Sequence, residues 1–334
     1  MAHTPEQVIE IEHAASGLHA FLVLDDTTLG PAAGGIRTRA YPSPADAQAD
    51  AARLARAMTI KCALAGLTAG GGKCVVLDHP RLDRAAAFAT LGDRIEALAG
   101  RFRTAGDFGT TEDDLRVLAA HTRYVHPDAG SLAAAVARGL RRCVEAAAAH
   151  SGWSGVTGRT AVVQGSGAIG AAAVRELIAA GMRVGVSDLD AGRAAAVAAA
   201  TGAATVPAFD ALEADVDLLA PCAIGGVITD QVAKHLRARM LVGAANNLLA
   251  SPLAAHVLLA RGITHVPDVI ASAGAVIDGI GRTVMGLADR VPLIDALGDT
   301  AREVLAEAAR AGRAPESVAV DIACARIAAA RALR

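Results

Sequence analysis

The sequence predicts an α/β protein with two domains, and three observations support that prediction. The chain has 334 residues, more than one hydrophobic core usually organises. Hydrophobic residues make up 53% of it and charged residues 20%, which is typical of globular rather than disordered proteins. From residue 159 onwards, buried-strand patterns alternate with helical patterns, and this alternation predicts βαβ units and a parallel sheet.

Three strand-like runs and two helical runs organise the first half. The strand-like runs are HAFLVLD (19–25), GGIRTRAY (34–41) and KCVVLD (73–78). Between the last two, Ser43 can cap a helix whose first turn accommodates Pro44, and apolar residues then recur at helical spacing. A second helix is predicted near residues 82–99, and the short run RFRTAGD follows it.

The second half contains five strand-like runs, with a helix between each run and the next. They are RTAVVQG (159–165), MRVGVSD (182–188), VDLLAP (216–221), MLVGAAN (240–246) and ITHVPD (263–268). Turn residues in HPDAGS place the domain break near Gly130. The predicted domains are 1–130 and 131–288, followed by C-terminal helices at 289–334 that we expect to pack back toward the first domain.

Composition excludes several classes of function. Lys plus Arg total 32 and Asp plus Glu total 34, so the net charge of −2 argues against a nucleic-acid binder. Aromatic residues are only 2% of the chain, too few for base-stacking platforms. The five cysteines have no CxxC spacing and the histidines have no metal-ligand spacing. We therefore expect no disulfide framework and no metal site.

The distribution of apolar residues predicts neither a secretory signal nor a membrane span. The chain begins MAHTPEQVIEIEH, without a basic segment followed by an apolar one. The longest uncharged stretch, residues 240–260, is interrupted by Asn-Asn, Ser-Pro and a histidine, which favours a strand, a turn and a helix. We expect a cytoplasmic protein.

A glycine-rich loop directly after one predicted strand indicates dinucleotide binding. Its predicted cofactor-binding residues are Gly165, Gly167, Ala168, Ile169 and Gly170. The glycines permit a tight turn, close approach of backbone to a pyrophosphate, and close helix–strand packing. The next strand ends at Asp188, 188 − 165 = 23 residues after the first glycine, where a carboxylate favours NAD over NADP. Arg193 leaves use of both cofactors open. The alternative is that the three glycines only mark a turn in a glycine-rich chain. The strand before them, the helix after them and the acidic residue favour nucleotide binding and predict a Rossmann-type, doubly wound parallel sheet.

Two lysines in an otherwise apolar stretch suggest chemistry in the first half. Lys61 and Lys73 are the only charged residues between Thr59 and Leu77. Burying an ammonium group costs several kcal/mol unless it is paired or its pKa falls, and a lysine of lowered pKa suits a general base. The alternative is that both side chains reach solvent. The GGG segment beside Lys73 favours function, because it would bring backbone N–H groups within reach of a carboxylate.

Asp107, in TAGDFGTTEDD, is the candidate acid for this site. A carboxylate near a lysine can share its proton and polarise water. The alternative is a helix N-cap, for which Asp113 and Asp114 are better candidates because the helix-like run LRVLAAH follows them.

Seven segments, in this order, give the chain a family resemblance. They are GPAAGGIRTRAY, AMTIKCALAGLTAGGGK, TAGDFGTTEDD, VVQGSGAIG, APCAIGGVIT, GAANNLLA and VPDVIASAG. Between about Leu22 and Gly274, the chain resembles the superfamily of glutamate, leucine, phenylalanine and valine dehydrogenases, most of all the leucine and phenylalanine enzymes. The resemblance implies an N-terminal α/β domain for substrate binding and oligomerisation. It also implies a homodimer or larger homo-oligomer.

The resemblance implies roles for the lysines and the acid. Lys61 would hold the substrate carboxylate, helped by backbone at Gly34 and Gly35. Lys73 would be the catalytic lysine that polarises the carbonyl and activates water, and Asp107 would shuttle a proton.

The resemblance also implies a reaction and further cofactor contacts. Cys222 and Ala223 would lie in a loop beside the cofactor, and Asn246 near the nicotinamide ribose. The implied reaction converts an L-amino acid, NAD⁺ and water to a 2-oxo acid, ammonia and NADH. Without a third cation placed for a side-chain carboxylate, a hydrophobic amino acid is expected rather than glutamate.

Some residues depart from the family pattern and leave alternatives open. Ser272, in the segment VPDVIASAG, stands where the family usually has an asparagine whose amide helps to hold substrate or cofactor. The resemblance implies that Ser272 binds substrate, with one donor instead of two. Ala33, at a position that lines the side-chain pocket, is smaller than its counterpart in leucine dehydrogenases. The loop between Asp107 and Arg138 is several residues shorter than in leucine dehydrogenases. Two alternatives are an NAD(P)H-dependent imine or oxo-acid reductase of a biosynthetic pathway, and a weakly active relative that binds an amino acid or NAD.

Overall fold

The chain forms two compact units. The computed structural model describes residues 3–126 and 132–333. The first unit comprises Met1–Ala129, Gly279–Gly286 and Ala323–Arg334, and the second comprises Gly130–Asp278 and Leu287–Ile322. The predicted break near Gly130 lies outside the described residues, and the predicted segment 289–334 is divided between the units.

The first unit is a mixed sheet with helices on both faces. Its strands are β1 (Gln7–His13), β2 (Leu18–Asp26), β3 (Ala32–Ala33), β4 (Ile36–Arg39), β5 (Gly70–Leu77), β6 (Phe102–Ala105) and β7 (Val125–His126). Its helices are α1 (Pro44–Leu64), α2 (Arg84–Ala97) and α3 (Glu112–His121). The strand order is β1-β2-β5-β3-β6-β7, with β4 also paired to β5. Strands β1, β2 and β5 pair antiparallel, and the other pairings are parallel.

Two apolar layers hold this sheet. Small residues of α1, among them Ala51 and Ala55, pack with Val23 and Val75 on one face. Larger residues of α2 and α3 pack on the other face, including Phe88 and Leu118. The alanines allow α1 to approach the sheet closely, and this brings the C-terminal end of α1 against β5.

The second unit has the strand order of a Rossmann fold, as predicted. Its strands are β8 (Thr160–Gln164), β9 (Arg183–Ser187), β10 (Ala204–Thr205), β11 (Leu218–Pro221), β12 (Met240–Val242) and β13 (Thr264–Val266). All six are parallel in the order β10-β9-β8-β11-β12-β13. The chain reverses direction of winding between β8 and β11, and ligands bind at such a switch point in open α/β sheets.

The remaining helices belong to the second unit wholly or, in two cases, partly. They are α4 (Leu132–His150), α5 (Ala168–Ala179), α6 (Ala191–Thr201), α7 (Asp230–His235), α8 (Pro252–Ala260), α9 (Asp268–Ala271), α10 (Gly274–Thr283), α11 (Val291–Asp295), α12 (Leu297–Ala311) and α13 (Pro315–Ala332). The end of α13 belongs to the first unit, where Arg326 donates to the carbonyl groups of Ala63 and Leu64 at the end of α1. Among the described residues, none of the helices combines the length and apolarity needed to cross a membrane.

The predicted N-cap of α1 is confirmed, and the predicted N-cap of α3 is wrong. Ser43 caps α1 by accepting the N–H of Asp46, as predicted. The predicted caps of α3, Asp113 and Asp114, were wrong. Thr111 is the N-cap, and Asp114 completes a capping box by accepting the Thr111 N–H at 2.7 Å.

Candidate active site

Lys73 and Asp107 form a buried ion pair in the first unit. Lys73 lies in the middle of β5, with 6% of its surface exposed, and its Nζ is 2.7 Å from Asp107 Oδ2. Asp107 follows β6 and comes close to Gly35, where a Cβ atom would lie 3.0 Å from Asp107 Cβ. Gly35 therefore lets the segment that contains Asp107 approach the short connection between β3 and β4.

The environment shifts the pKa of both groups. Burial lowers the pKa of Lys73, and the opposing charge of Asp107 does not fully offset this. Burial alone would raise the pKa of Asp107, but the charge of Lys73 and its hydrogen bond lower it. The carboxylate therefore stays ionised, and the amine releases a proton more readily than a lysine in water.

Lys61 is buried as well, in the last turn of α1, with 8% of its surface exposed. The alternative in which both lysines reach solvent is therefore wrong. A Cβ atom on Gly71 would lie 2.1 Å from Thr59 N, so this glycine lets the Lys61 end of α1 press against the strand that carries Lys73. Lysine occurs at only one other position, the exposed Lys234.

The glycines flanking these lysines act mainly through packing. The sequence predicts that the GGG segment brings N–H groups to a carboxylate, but Gly70, Gly71 and Gly72 lie within β5, and Gly70 N–H donates to Pro31 O. Gly34 N–H donates to Arg103 O at 3.0 Å, and a Cβ atom there would lie 1.8 Å from Gly72 O. This amide is therefore engaged in the sheet.

The remaining predicted residues near the lysines are also buried. Ala33 lies in β3 and is 1% exposed. Cys62 and Cys74, which neighbour the lysines, are buried, and burial raises the pKa of each thiol to about 12. Such thiols behave as small apolar side chains.

The glycine loop of the second unit has the shape of a phosphate cradle. Gly165 has φ of +103°, and a Cβ atom on Gly170 would lie 1.9 Å from Gly165 O, so both positions require glycine. Gly167 is the N-cap of α5 and makes no side-chain capping bond, and a Cβ atom there would meet nothing within 4 Å. The open N-terminus of α5, at Ala168 and Ile169, therefore fits the pyrophosphate of a dinucleotide.

Asp188 lies at the end of β9 beside this loop. Its Oδ2 accepts both the N–H and the hydroxyl of Ser166, each at 2.8 Å, and its Oδ1 accepts the Asp190 N–H at 2.9 Å. The backbone bond from Ser166 and then that from Asp190 lower the pKa of Asp188. The acid thus supports the loop in addition to its predicted cofactor role.

Two exposed apolar side chains flank the loop, and sequence reasoning missed them. Leu189 follows Asp188 and is 86% exposed, and Ile224 follows Ala223 and is 66% exposed. They come after β9 and β11, the two strands that neighbour β8. Exposed leucine and isoleucine at this edge fit an apolar ring such as adenine.

The predicted loop and ribose residues also lie at this sheet. Cys222 N–H donates to Gln164 O at 2.7 Å, and Ala223 packs against Gly165. Ser272 Oγ lies 3.2 Å from Asn246 Oδ1 and 2.6 Å from Asp268 O. The structure therefore brings Ser272 and Asn246 together.

A buried histidine outside these groups joins β13 to α13. His265 Nδ1 donates to Leu241 O at 2.9 Å, and its Nε2 lies 2.5 Å from Glu316 Oε1. Burial alone would lower the pKa of His265, but the charge and hydrogen bond of Glu316 raise it. Burial would raise the pKa of Glu316, yet His265 lowers it.

We expect this pair to make stability depend on pH. The His265 contribution is complete below pH 6.5 and is lost as pH rises through its raised pKa. The Glu316 contribution is present above pH 4.5 and is lost as pH falls through its lowered pKa. Glu316→Gln should lower the free energy of unfolding by about 3 kcal/mol near pH 6, and by less at pH 9.

Thermal and urea unfolding at both pH values measure this difference. Glu307→Gln, which removes an exposed partner of Arg310, is the matched control and should change little. Equal losses at pH 6 and pH 9 in Glu316→Gln would show that the pair is not charged.

Comparison with known proteins gives a consistent set of relatives. Residues 5–124 match the model of the Glu/Leu/Phe/Val dehydrogenase dimerisation domain, and residues 191–279 match that of glutamate/leucine/phenylalanine/valine dehydrogenase. A leucine dehydrogenase of Geobacillus stearothermophilus is 39% identical over 281 residues, covering 82% of this chain and 77% of that protein. A valine dehydrogenase of Streptomyces albus is 36% identical over 346 aligned positions, covering 98% and 94%. The crystal structure of an L-tryptophan dehydrogenase from Nostoc punctiforme matches with a TM-score of 0.88 at 31% identity, covering 98% and 96%.

Proposed function

Because this chain belongs to the Glu/Leu/Phe/Val dehydrogenase family, we propose that it catalyses the NAD-dependent, reversible oxidative deamination of a hydrophobic L-amino acid. The products are the 2-oxo acid, ammonia and NADH. The observation that carries the proposal is the buried Lys73–Asp107 ion pair, since a protein that only binds an amino acid has no need of a lysine with a lowered pKa beside an ionised acid.

The chain's own residues divide the work. Lys61 binds the substrate carboxylate. Removal of a hydride from the α-carbon leaves an iminium carbon. Lys73, in its neutral form, takes a proton from the water that adds to this carbon, and in its charged form it polarises the carbonyl that forms when the C–N bond breaks and ammonia leaves. Asp107 moves a proton between the substrate nitrogen and solvent. The loop Gly165–Gly170 and Asp188 would hold NAD⁺, which would accept the hydride removed from the α-carbon.

The relatives support a hydrophobic substrate, and Asp188 supports NAD as the cofactor. The relatives described above are named for leucine, valine and tryptophan. The ionised Asp188 would repel the extra phosphate of NADP, which supports NAD. The match to a dimerisation domain over residues 5–124 supports a homo-oligomer formed through the first unit.

A spectrophotometric screen tests the proposed function. The purified chain is incubated with NAD⁺ and each L-amino acid in alkaline buffer, and NADH is followed by its absorbance. The reverse reaction is run with ammonia and 2-oxo acids. We expect turnover with one or more hydrophobic amino acids and little with glutamate. Reduction of imines without deamination would favour the reductase alternative, and NAD binding without any turnover would favour the binding protein.

A further inference from the structure

Arg37, in β4, bridges the Lys73–Asp107 pair to a second carboxylate. Its Nε donates to Asp107 Oδ2 at 3.0 Å, and its Nη1 donates to Asp50 Oδ2 at 3.2 Å. Two edges of one planar group thus hold two acids. We propose that Arg37 is a positioning residue, which fixes the Asp107 carboxylate against Lys73 and adds a second positive charge to the site. The inference rests on the proposed function and assigns a role beyond it.

The Asp50 carboxylate that binds Arg37 is itself held by residues of the neighbouring helix and turn. Asp50, on α1, also accepts the hydroxyl of Tyr41 on Oδ2 at 2.7 Å and Arg53 on Oδ1 at 2.6 Å. The Arg37 and Asp50 side chains are only 18% and 15% exposed. A guanidinium anchored in this way has one orientation, because the fork of Arg fits two carboxylates that are fixed from opposite sides.

This arrangement selects one oxygen of Asp107 for proton exchange. Lys73 Nζ and Arg37 Nε both contact Oδ2. Two cations on one oxygen make it a poor proton acceptor, so a proton exchanged with the substrate nitrogen goes to Oδ1. Arg37 therefore orients the acid rather than touching the reacting atoms.

The charge of Arg37 acts on both members of the pair in a useful direction. Burial lowers the pKa of Lys73, Asp107 and Asp50 oppose this, and Arg37 adds to the lowering. Burial would raise the pKa of Asp107, whereas Lys73, Arg37 and the backbone N–H of Phe108 lower it. Arg37 thus favours a neutral amine and an ionised acid together, which is the form that can activate water.

Replacing Arg37 with glutamine tests this role through the pH profile. Removal of a positive charge raises the pKa of Lys73, so the acid limb of kcat/KM for deamination should move to higher pH by about one unit. Activity at pH 8 should fall by about tenfold and recover as pH rises, while the Kd for NAD stays unchanged. A variant that is only less stable would lose activity equally across the profile.

Two further variants keep the test sharp. Arg53→Gln also removes an arginine from Asp50 but leaves the contacts between Arg37 and Asp107, and it should barely move the acid limb. Arg37→Lys retains the charge but cannot bridge two carboxylates, so the acid limb should return close to its wild-type position while kcat stays low. An unshifted limb in Arg37→Gln, or an equal shift in Arg53→Gln, overturns the proposal.

Direct titration of the lysines separates this inference from the proposed function. The chain has three lysines, so protein with ¹³C-labelled lysine gives three ε-carbon signals, and a Lys234→Arg variant identifies one of them. Lys61→Arg then separates Lys61 from Lys73. We expect the Lys73 signal to titrate about one pH unit higher in Arg37→Gln than in wild type. Identical titrations refute the role of Arg37, whereas wild-type protein that deaminates no amino acid refutes the proposed function.

Discussion

Lys73→Ala is expected to lower the rate of NADH formation by about 10⁴-fold, because it removes both the proposed base that activates water and the proposed cation that polarises the carbonyl. Binding of NAD should hardly change, since the glycine loop belongs to the second unit and has its own support from Asp188 and Ser166. Steady-state kinetics with the amino acid identified by the screen measure the first effect. Titration of protein fluorescence with NAD measures the second.

Two comparisons show whether the loss is chemical. Lys234→Ala removes the exposed lysine of α7 and should retain full activity. Asp107→Asn keeps the size of the side chain but removes its charge, and we expect a loss of about 10³-fold. A Lys73→Ala protein with a tenth or more of wild-type activity would exclude Lys73 from the mechanism.

The parts of the site that could be predicted from sequence are those whose signal is local. The glycine loop is a contiguous segment, GSGAIG, and its strand, its helix and Asp188 all lie within one βαβ unit. The helix start at Ser43 is similarly local. Burial of Lys61 and Lys73 could be predicted because the surrounding residues are apolar.

Arg37 and Asp50 were missed because their contact depends on how the sheet is assembled. Strand β4 pairs in parallel with β5, with Arg37 opposite Val75, and α1 then crosses the same face. Nothing in GGIRTRAY distinguishes Arg37 from Arg39, which is exposed at the end of the strand. Only the fold decides which of the two arginines reaches Asp107.

The wrong predictions for the GGG segment and for the N-cap of α3 share one cause, which is that the same residue type can serve two structural purposes. A run of glycines can expose amides to a ligand or admit a neighbouring element, and the close approach of Thr59 to Gly71 shows the second use here. Acidic residues at a helix start can be the N-cap or follow it. Asp114 lies three residues after the N-cap Thr111, and its buried carboxylate also pairs with Arg84.

Asp188→Ser is the second substitution with a large expected effect, and it should lower the preference for NAD over NADP by about 100-fold in kcat/KM. On the proposed role of Asp188, the serine removes the charge that would repel a 2′-phosphate and shortens the acceptor for the ribose hydroxyls. It also removes the partner of the Ser166 N–H and hydroxyl, so the Kd for NAD should rise by about tenfold as the loop loosens.

Ser166→Ala separates the two roles of Asp188. It deletes the hydroxyl that contacts the acid at 2.8 Å but leaves the backbone bond and the charge. If the carboxylate selects the cofactor by charge, Ser166→Ala weakens NAD and NADP to the same degree, and only Asp188→Ser changes their ratio. If Ser166→Ala changes the ratio as much as Asp188→Ser does, loop geometry rather than charge sets the preference. The ratio of kcat/KM values for the two cofactors, measured on both variants, decides between these causes.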